Sequence, residues 1–100
     1  MEEIEEDLPV WVVVNNNAHP TCTIIEVQAP DRLGLLYHLL GAISHGGISI
    51  EAARIATEQK AALDVFYLRT KEGEKITDRN ALLRLERRLR AASARAGETP

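Results

Sequence analysis

A chain of 100 residues makes one small domain, able to bury a core but with little stability to spare. Its residues are 45% hydrophobic with few aromatics, which suits an aliphatic-packed globular domain. A net charge of −3, a lone Cys22 and apolar runs far shorter than a bilayer argue against bulk attraction to nucleic acid or lipid, an internal disulfide and a membrane span, and leave the cytosol as the expected compartment.

Residues Glu2 to Asp7 are almost all acidic, so 1–8 reads as a solvated lead-in or linker, before a domain over 9–95. Val10-Trp11-Val12-Val13-Val14 is β-branched and aromatic and predicts a strand. The turn formers Asn15 to Pro20 follow, then a second strand from Thr21 to Ala29 closed by Pro30, most simply an antiparallel hairpin with the first. An amphipathic helix is expected from about Leu33 to His45, ended by Gly46-Gly47. Ile48 to Ala52 alternates like a strand. The apolar phase then slips to Ala53 and Ile55, which predicts a bulge near Ala52-Ala53. Glu58-Gln59-Lys60 is a tight connection into a strand from Ala61 to Arg69. Thr77 or Asp78 can cap a last helix carrying Leu82, Leu85, Leu89 and Ala92 on one side. The arginines between those leucines read as a solvated outer face, and 96–100 as a frayed tail.

The order strand, strand, helix, strand, strand, helix predicts an α+β domain: a ferredoxin-like two-layer sandwich with a four-stranded antiparallel sheet, both helices on one face and the N-terminal strand at an edge. Side chains alternate across a strand, so if Ile25 and Val27 face the helices, Ile24, Glu26 and Gln28 face outward. Asp64, Phe66 and Leu68 are placed with them. Ile24, Phe66 and Leu68 then form an apolar patch expected to serve as an interface, unless the flanking arm covers it.

Asp31-Arg32-Leu33-Gly34-Leu35-Leu36-Tyr37 stands where the second strand gives way to the first helix. First-turn N–H groups have no partner within a helix and can receive a small polar ligand, and a glycine there lets a group approach the backbone. The plainer reading is a helix start, with Asp31 as N-cap and Gly34 as packing.

That stretch, preceded by Thr23-Ile24-Ile25-Glu26-Val27, occurs with a second motif. Ile48-Ser49-Ile50 runs through Ala53-Arg54-Ile55-Ala56-Thr57 to Asp64-Val65-Phe66-Tyr67-Leu68. Together they resemble the ACT domain, a small regulatory module that binds amino acids in metabolic enzymes. The pairing is most similar to the C-terminal ACT repeat of bacterial PII uridylyltransferases, and more loosely to plant ACT-repeat proteins. In that subgroup the edge strand precedes the core unit, the role that Val10 to Val14 fits. Leu33 stands where the family usually has proline, and Gln59-Lys60 where it often has a glycine turn.

The resemblance implies a nitrogen-metabolism sensor of small amino acids, glutamine first. The implied ligand set is Asp31, Arg32, Leu33, Gly34 and Leu35, with Gly47 and Ile48 of the loop after the helix. It also implies a homodimer or a partner ACT domain, and a catalytic domain upstream. Asn15, Asn16 and Asn17 can reach a ligand, though turn chemistry explains them without one. No catalytic set is legible: His38 and His45 share a helix face with no carboxylate or cysteine at ligand spacing, and no cofactor or metal is expected. Three classes compete: a ligand-sensing module of a larger enzyme, a free-standing ACT protein acting by self-assembly, and an interaction domain that has lost its ligand.

Overall fold

A computed structural model describes residues 9–97. Its elements run β1 (Trp11–Asn15), β2 (Thr23–Pro30), α1 (Leu35–Ser44), β3 (Ser49–Glu58), β4 (Ala61–Arg69) and α2 (Arg79–Arg95). The sheet has the order β1-β2-β4-β3, and every neighbouring pair is antiparallel. This is the expected ferredoxin-like α+β arrangement, with β1 at one edge and β4 inserted between β2 and β3. The acidic lead-in, 1–8, lies outside the described residues, as do 98–100 of the expected tail.

The register decides which face each strand presents. Directly opposed residues of an antiparallel pair project to the same side. Thr23 opposes Leu68, Ile25 opposes Phe66, and Val27 opposes Asp64. Phe66 and Leu68 are therefore on the helix side with Ile25 and Val27, fully buried in the core beside Leu39, Ile43, Leu85 and Leu89. The expected outward patch of Ile24, Phe66 and Leu68 is corrected accordingly. Both parities of β4 carry large apolar side chains, so alternation alone does not say which row is inner. Ile24 does lie on the opposite face, opposed to Tyr67, yet only 6% of it is exposed. The outer row that takes its place comprises Trp11, Val13, Leu63, Val65 and Tyr67, and in it Trp11 is 54% and Val13 48% exposed.

The strand β3 has two halves. Ile50 opposes Leu68 and Ala52 opposes Tyr67, leaving Glu51 as the bulged residue, one position before the expected site. The bulge resets the phase, so Ala53, Ile55 and Thr57 stay on the helix side. Arg69 donates to the Glu51 carboxylate at 3.0 Å and Ser49 Oγ donates to it at 2.8 Å, which holds that carboxyl below its usual range. Beyond the bulge no helix covers the strand: Glu51 to Lys60 are all exposed, and Ile55 remains 51% exposed. The hairpin turns on Gln59, which adopts a positive φ of 57°.

Loops fasten the layers. Asn16 donates from Nδ2 to the Ile76 carbonyl at 2.9 Å and accepts from Thr23 Oγ1, whose oxygen accepts the Ile76 N–H at 2.8 Å. Asn15 accepts the Asn17 N–H at 2.8 Å. Asn15 and Asn16 are thus engaged in building the β1–β2 loop. Asp78 caps α2, accepting from the Asn80 N–H at 3.2 Å. Arg88 Nε donates to the Ala42 carbonyl at 2.9 Å and so braces α2 to α1, while Arg90 reaches the Val10 carbonyl at 3.0 Å. The start of the expected frayed tail is packed: Ala96 is buried, and the Gly97 N–H donates to the Leu33 carbonyl at 2.9 Å.

Candidate functional site

The chain leaves the sheet at Pro30 and turns into α1 through Asp31 to Gly34. The Asp31 N–H donates to the Lys60 carbonyl at 2.8 Å, tying this loop to the β3–β4 turn. Asp31 is not the N-cap. Gly34 occupies that position at φ 81°, a conformation that glycine adopts without strain, and no side chain caps the helix. The helix therefore starts at Leu35, two residues later than expected. An added Cβ at Gly34 would meet nothing closer than the His38 ring at 3.8 Å, so backbone conformation, not crowding, requires glycine here.

The Leu35 N–H bonds the Arg32 carbonyl at 3.1 Å, and the His38 N–H makes the first helical bond, to Gly34, at 3.0 Å. Between them the N–H groups of Leu36 and Tyr37 have no carbonyl a turn earlier within the helix. With no acidic residue in the first turn, the positive end of the helix dipole is left uncompensated locally.

A cleft of about 420 Å³ opens beside this helix start. One wall is Asp31, Arg32, Leu33, Gly34 and Leu35, the other Ile55 and Thr57 of the uncovered half of β3, and Ala62 and Asp64 of β4 also line it. The structure thus brings together five of the seven expected ligand residues. Gly47 and Ile48 lie elsewhere, in a separate depression with Lys71 and Arg84. They follow the far end of α1, and ten helical residues span about 15 Å. A third groove, about 480 Å³, runs between the helices along Tyr37, His38, His45, Arg88 and Arg95.

Sequence reasoning missed Asp64 as a site residue. It lies between Val27 and Ile55 on the inner row, only 2% exposed. Its Oδ1 has no hydrogen-bond partner. Burial pushes its carboxyl above the usual range, opposed by a hydrogen bond from the Ala56 backbone and assisted by the negative charge of Asp31. The sequence signal is an acidic residue in an otherwise apolar alternating strand, which without the register reads as outward-facing.

Among the described residues no group of three or more His, Cys, Asp or Glu could hold a metal ion, and no helix is long and apolar enough to cross a membrane. His38 and His45 both line the interhelical groove, without a carboxylate or cysteine beside them.

A family model described as "ACR9-like, ACT-like domain" matches residues 11–96. The chain belongs to the ACT-like domain family. This ACT-like domain is 41% identical over 87 residues to the bifunctional uridylyltransferase/uridylyl-removing enzyme of Azospirillum brasilense, covering 87% of the chain and 9% of that enzyme. It is 41% identical over 92 residues to the enzyme of the same name from Gluconobacter oxydans, covering 92% of the chain and 10% of the enzyme. The Rhodospirillum rubrum enzyme is 35% identical over 85 residues, 85% of the chain and 9% of the enzyme. The ACT-like domain thus spans about a tenth of the length of these relatives. No solved structure matches it.

Proposed function

We propose that this domain is an amino-acid-sensing regulatory module, with L-glutamine its first candidate ligand, serving a polypeptide that transfers and removes uridylyl groups. The observation that carries the reading is the convergence of Asp31, Arg32, Leu33, Gly34 and Leu35 on one cleft at the start of α1. An amino-acid carboxylate fits the N–H groups of Leu36 and Tyr37, which the helix leaves without internal partners and which carry the positive end of its dipole. The names of the relatives support the link to uridylyl transfer. In this reading the domain detects the ligand, and a catalytic domain of the same polypeptide performs the chemistry.

The cleft also suggests how binding is transmitted. Its walls belong to separate elements, and the Asp31–Lys60 hydrogen bond links the loop before α1 to the β3–β4 turn. A ligand that contacts both walls favours one spacing of the hairpin from α1, and so shifts a population of domain states. A few charge-assisted hydrogen bonds, less the cost of immobilising a small ligand, correspond to dissociation constants of roughly micromolar to millimolar.

The test is calorimetry and amide chemical-shift mapping with the twenty common amino acids. Binding that perturbs residues 31–37, is lost in Gly34→Val and is kept in Arg87→Ala supports the reading. No heat, no shift and an unchanged melting temperature with every amino acid refute it.

A second reading concerns assembly. The exposed Trp11 and Val13, continuous with Leu63 and Val65 on the outer sheet face, favour at least a dimer or a partner ACT domain. Sedimentation at micromolar concentration that finds only monomer refutes it.

A further inference from the structure

The inner row of β4 reads Ala62, Asp64, Phe66, Leu68, and it is apolar but for one position. An apolar side chain there would complete the core. Asp64 instead buries a carboxylate whose Oδ1 meets no donor. Buried polar atoms are nearly always paired, so an orphaned carboxylate oxygen signals either a misplaced group or one whose partner arrives from outside. The Ala56 backbone serves the carboxyl with one hydrogen bond, and the negative charge of Asp31, another carboxylate, acts on it as well. Both acidic residues line the same cleft, and that cleft also receives the N-terminus of α1.

The cleft is therefore bipolar. Its helix end attracts an anion and its Asp64 end a cation. The two depressions beside the helices lack this character: the interhelical groove is lined by His38, His45, Arg88 and Arg95, and the depression by Gly47 and Ile48 contains no orphaned buried atom.

We infer that Asp64 is the acceptor for the α-ammonium group of the bound amino acid, and is thus the residue that makes the cleft select a zwitterion over a simple carboxylate. This rests on the amino-acid reading above and adds the group that reads the amine. An ammonium brought to Oδ1 converts an unpaired buried charge into a charge-assisted hydrogen bond, which is among the strong ones. A carboxylate lacking the amine would leave Asp64 unpaired and gain only the helix-end contacts.

The experiment uses two probes on the intact chain: L-glutamine and 4-carbamoylbutanoate, which is glutamine without its α-ammonium. If another amino acid binds more tightly, it and its analogue lacking the amine form the pair. Wild type is expected to bind the amino acid at least tenfold more tightly than the analogue. Asp64→Asn should weaken the amino acid tenfold or more, leave the analogue within about twofold, and melt no lower than wild type at pH 7. Equal weakening of both probes, or unchanged amino-acid affinity in Asp64→Asn, overturns the role of Asp64. If affinity is unchanged in Asp64→Asn but lost in Gly34→Val, the amino-acid reading stands and the inference about Asp64 falls. Failure of wild type to bind any amino acid removes both.

Discussion

Replacing Asp64 by asparagine should make this domain more stable at neutral pH. The carboxyl is buried, one oxygen is unpaired, and one backbone N–H from Ala56 serves the group. Leaving a buried acceptor unsatisfied costs about 1–3 kcal/mol, and more when it is charged. Asparagine keeps an acceptor for Ala56 and keeps one unpaired polar atom, but removes the charge. The net gain is therefore about 1 kcal/mol, or a rise of about 4–8 °C in melting temperature for a domain of this size. Burial raises the carboxyl above its ordinary value, so between the two the native state holds a proton that the unfolded state has already released. The favourable contribution of Asp64 is complete below the unfolded pKa and is lost as pH rises through the folded one. The advantage of Asp64→Asn should thus be absent near pH 3.5, appear as pH rises and level off above the folded pKa. Thermal melts of both proteins by circular dichroism from pH 3.5 to 8, without ligand, measure it. A difference that does not vary with pH, or an asparagine variant that melts lower throughout, would refute the account of Asp64 as an uncompensated buried charge.

Gln59 holds φ 57° in the β3–β4 turn, and non-glycine residues pay about 1–2 kcal/mol for that region. Gln59→Gly should return about 0.5–1 kcal/mol of this after the entropy of the freer unfolded chain is subtracted, read as an upward shift of the urea midpoint with an unchanged m-value. Phe66→Ala should cost about 3–5 kcal/mol, enough to unfold much of a marginal domain, because the ring is wholly buried in the core. Trp11→Ser, on the outer face, should change thermal stability by less than about 1 kcal/mol and act instead on self-association, measured by sedimentation across a concentration series.

Much of the fold was legible because the local signals agree. Strand and helix periodicities switch cleanly at Pro30 and at Gly46-Gly47, polar residues mark the Gln59 turn between two strands, and one phase slip in β3 announces the bulge. What periodicity does not carry is register. Phe66 and Leu68 alternate with Val65 and Tyr67, two rows of similar hydrophobicity, and only the pairing of Ile25 with Phe66 decides between them. The same ambiguity concealed Asp64, since a carboxylate reads as outward until the strand beside it is in place. The helix start shows a different limit. Asp31 is a good capping residue in composition, but its backbone is tied to Lys60, and the positive φ of Gly34 sets the entry three residues later. Gly47 and Ile48, expected in one ligand set with Asp31 to Leu35, are separated from them by a whole helix, a distance that sequence motifs do not carry.

The bulge at Glu51 divides β3 between two kinds of selection. The part before it is held by packing: Ile50, and Ile48 just ahead of the strand, rest against the core. Residues after it form a cleft wall that supports no helix. Mutations at Ile55 or Thr57 therefore carry little folding penalty, and the side chains lining this cleft can drift while the scaffold stays fixed. On the amino-acid-sensing proposal, descendants of such a domain can change what they recognise by ordinary point substitution, with no intermediate that fails to fold.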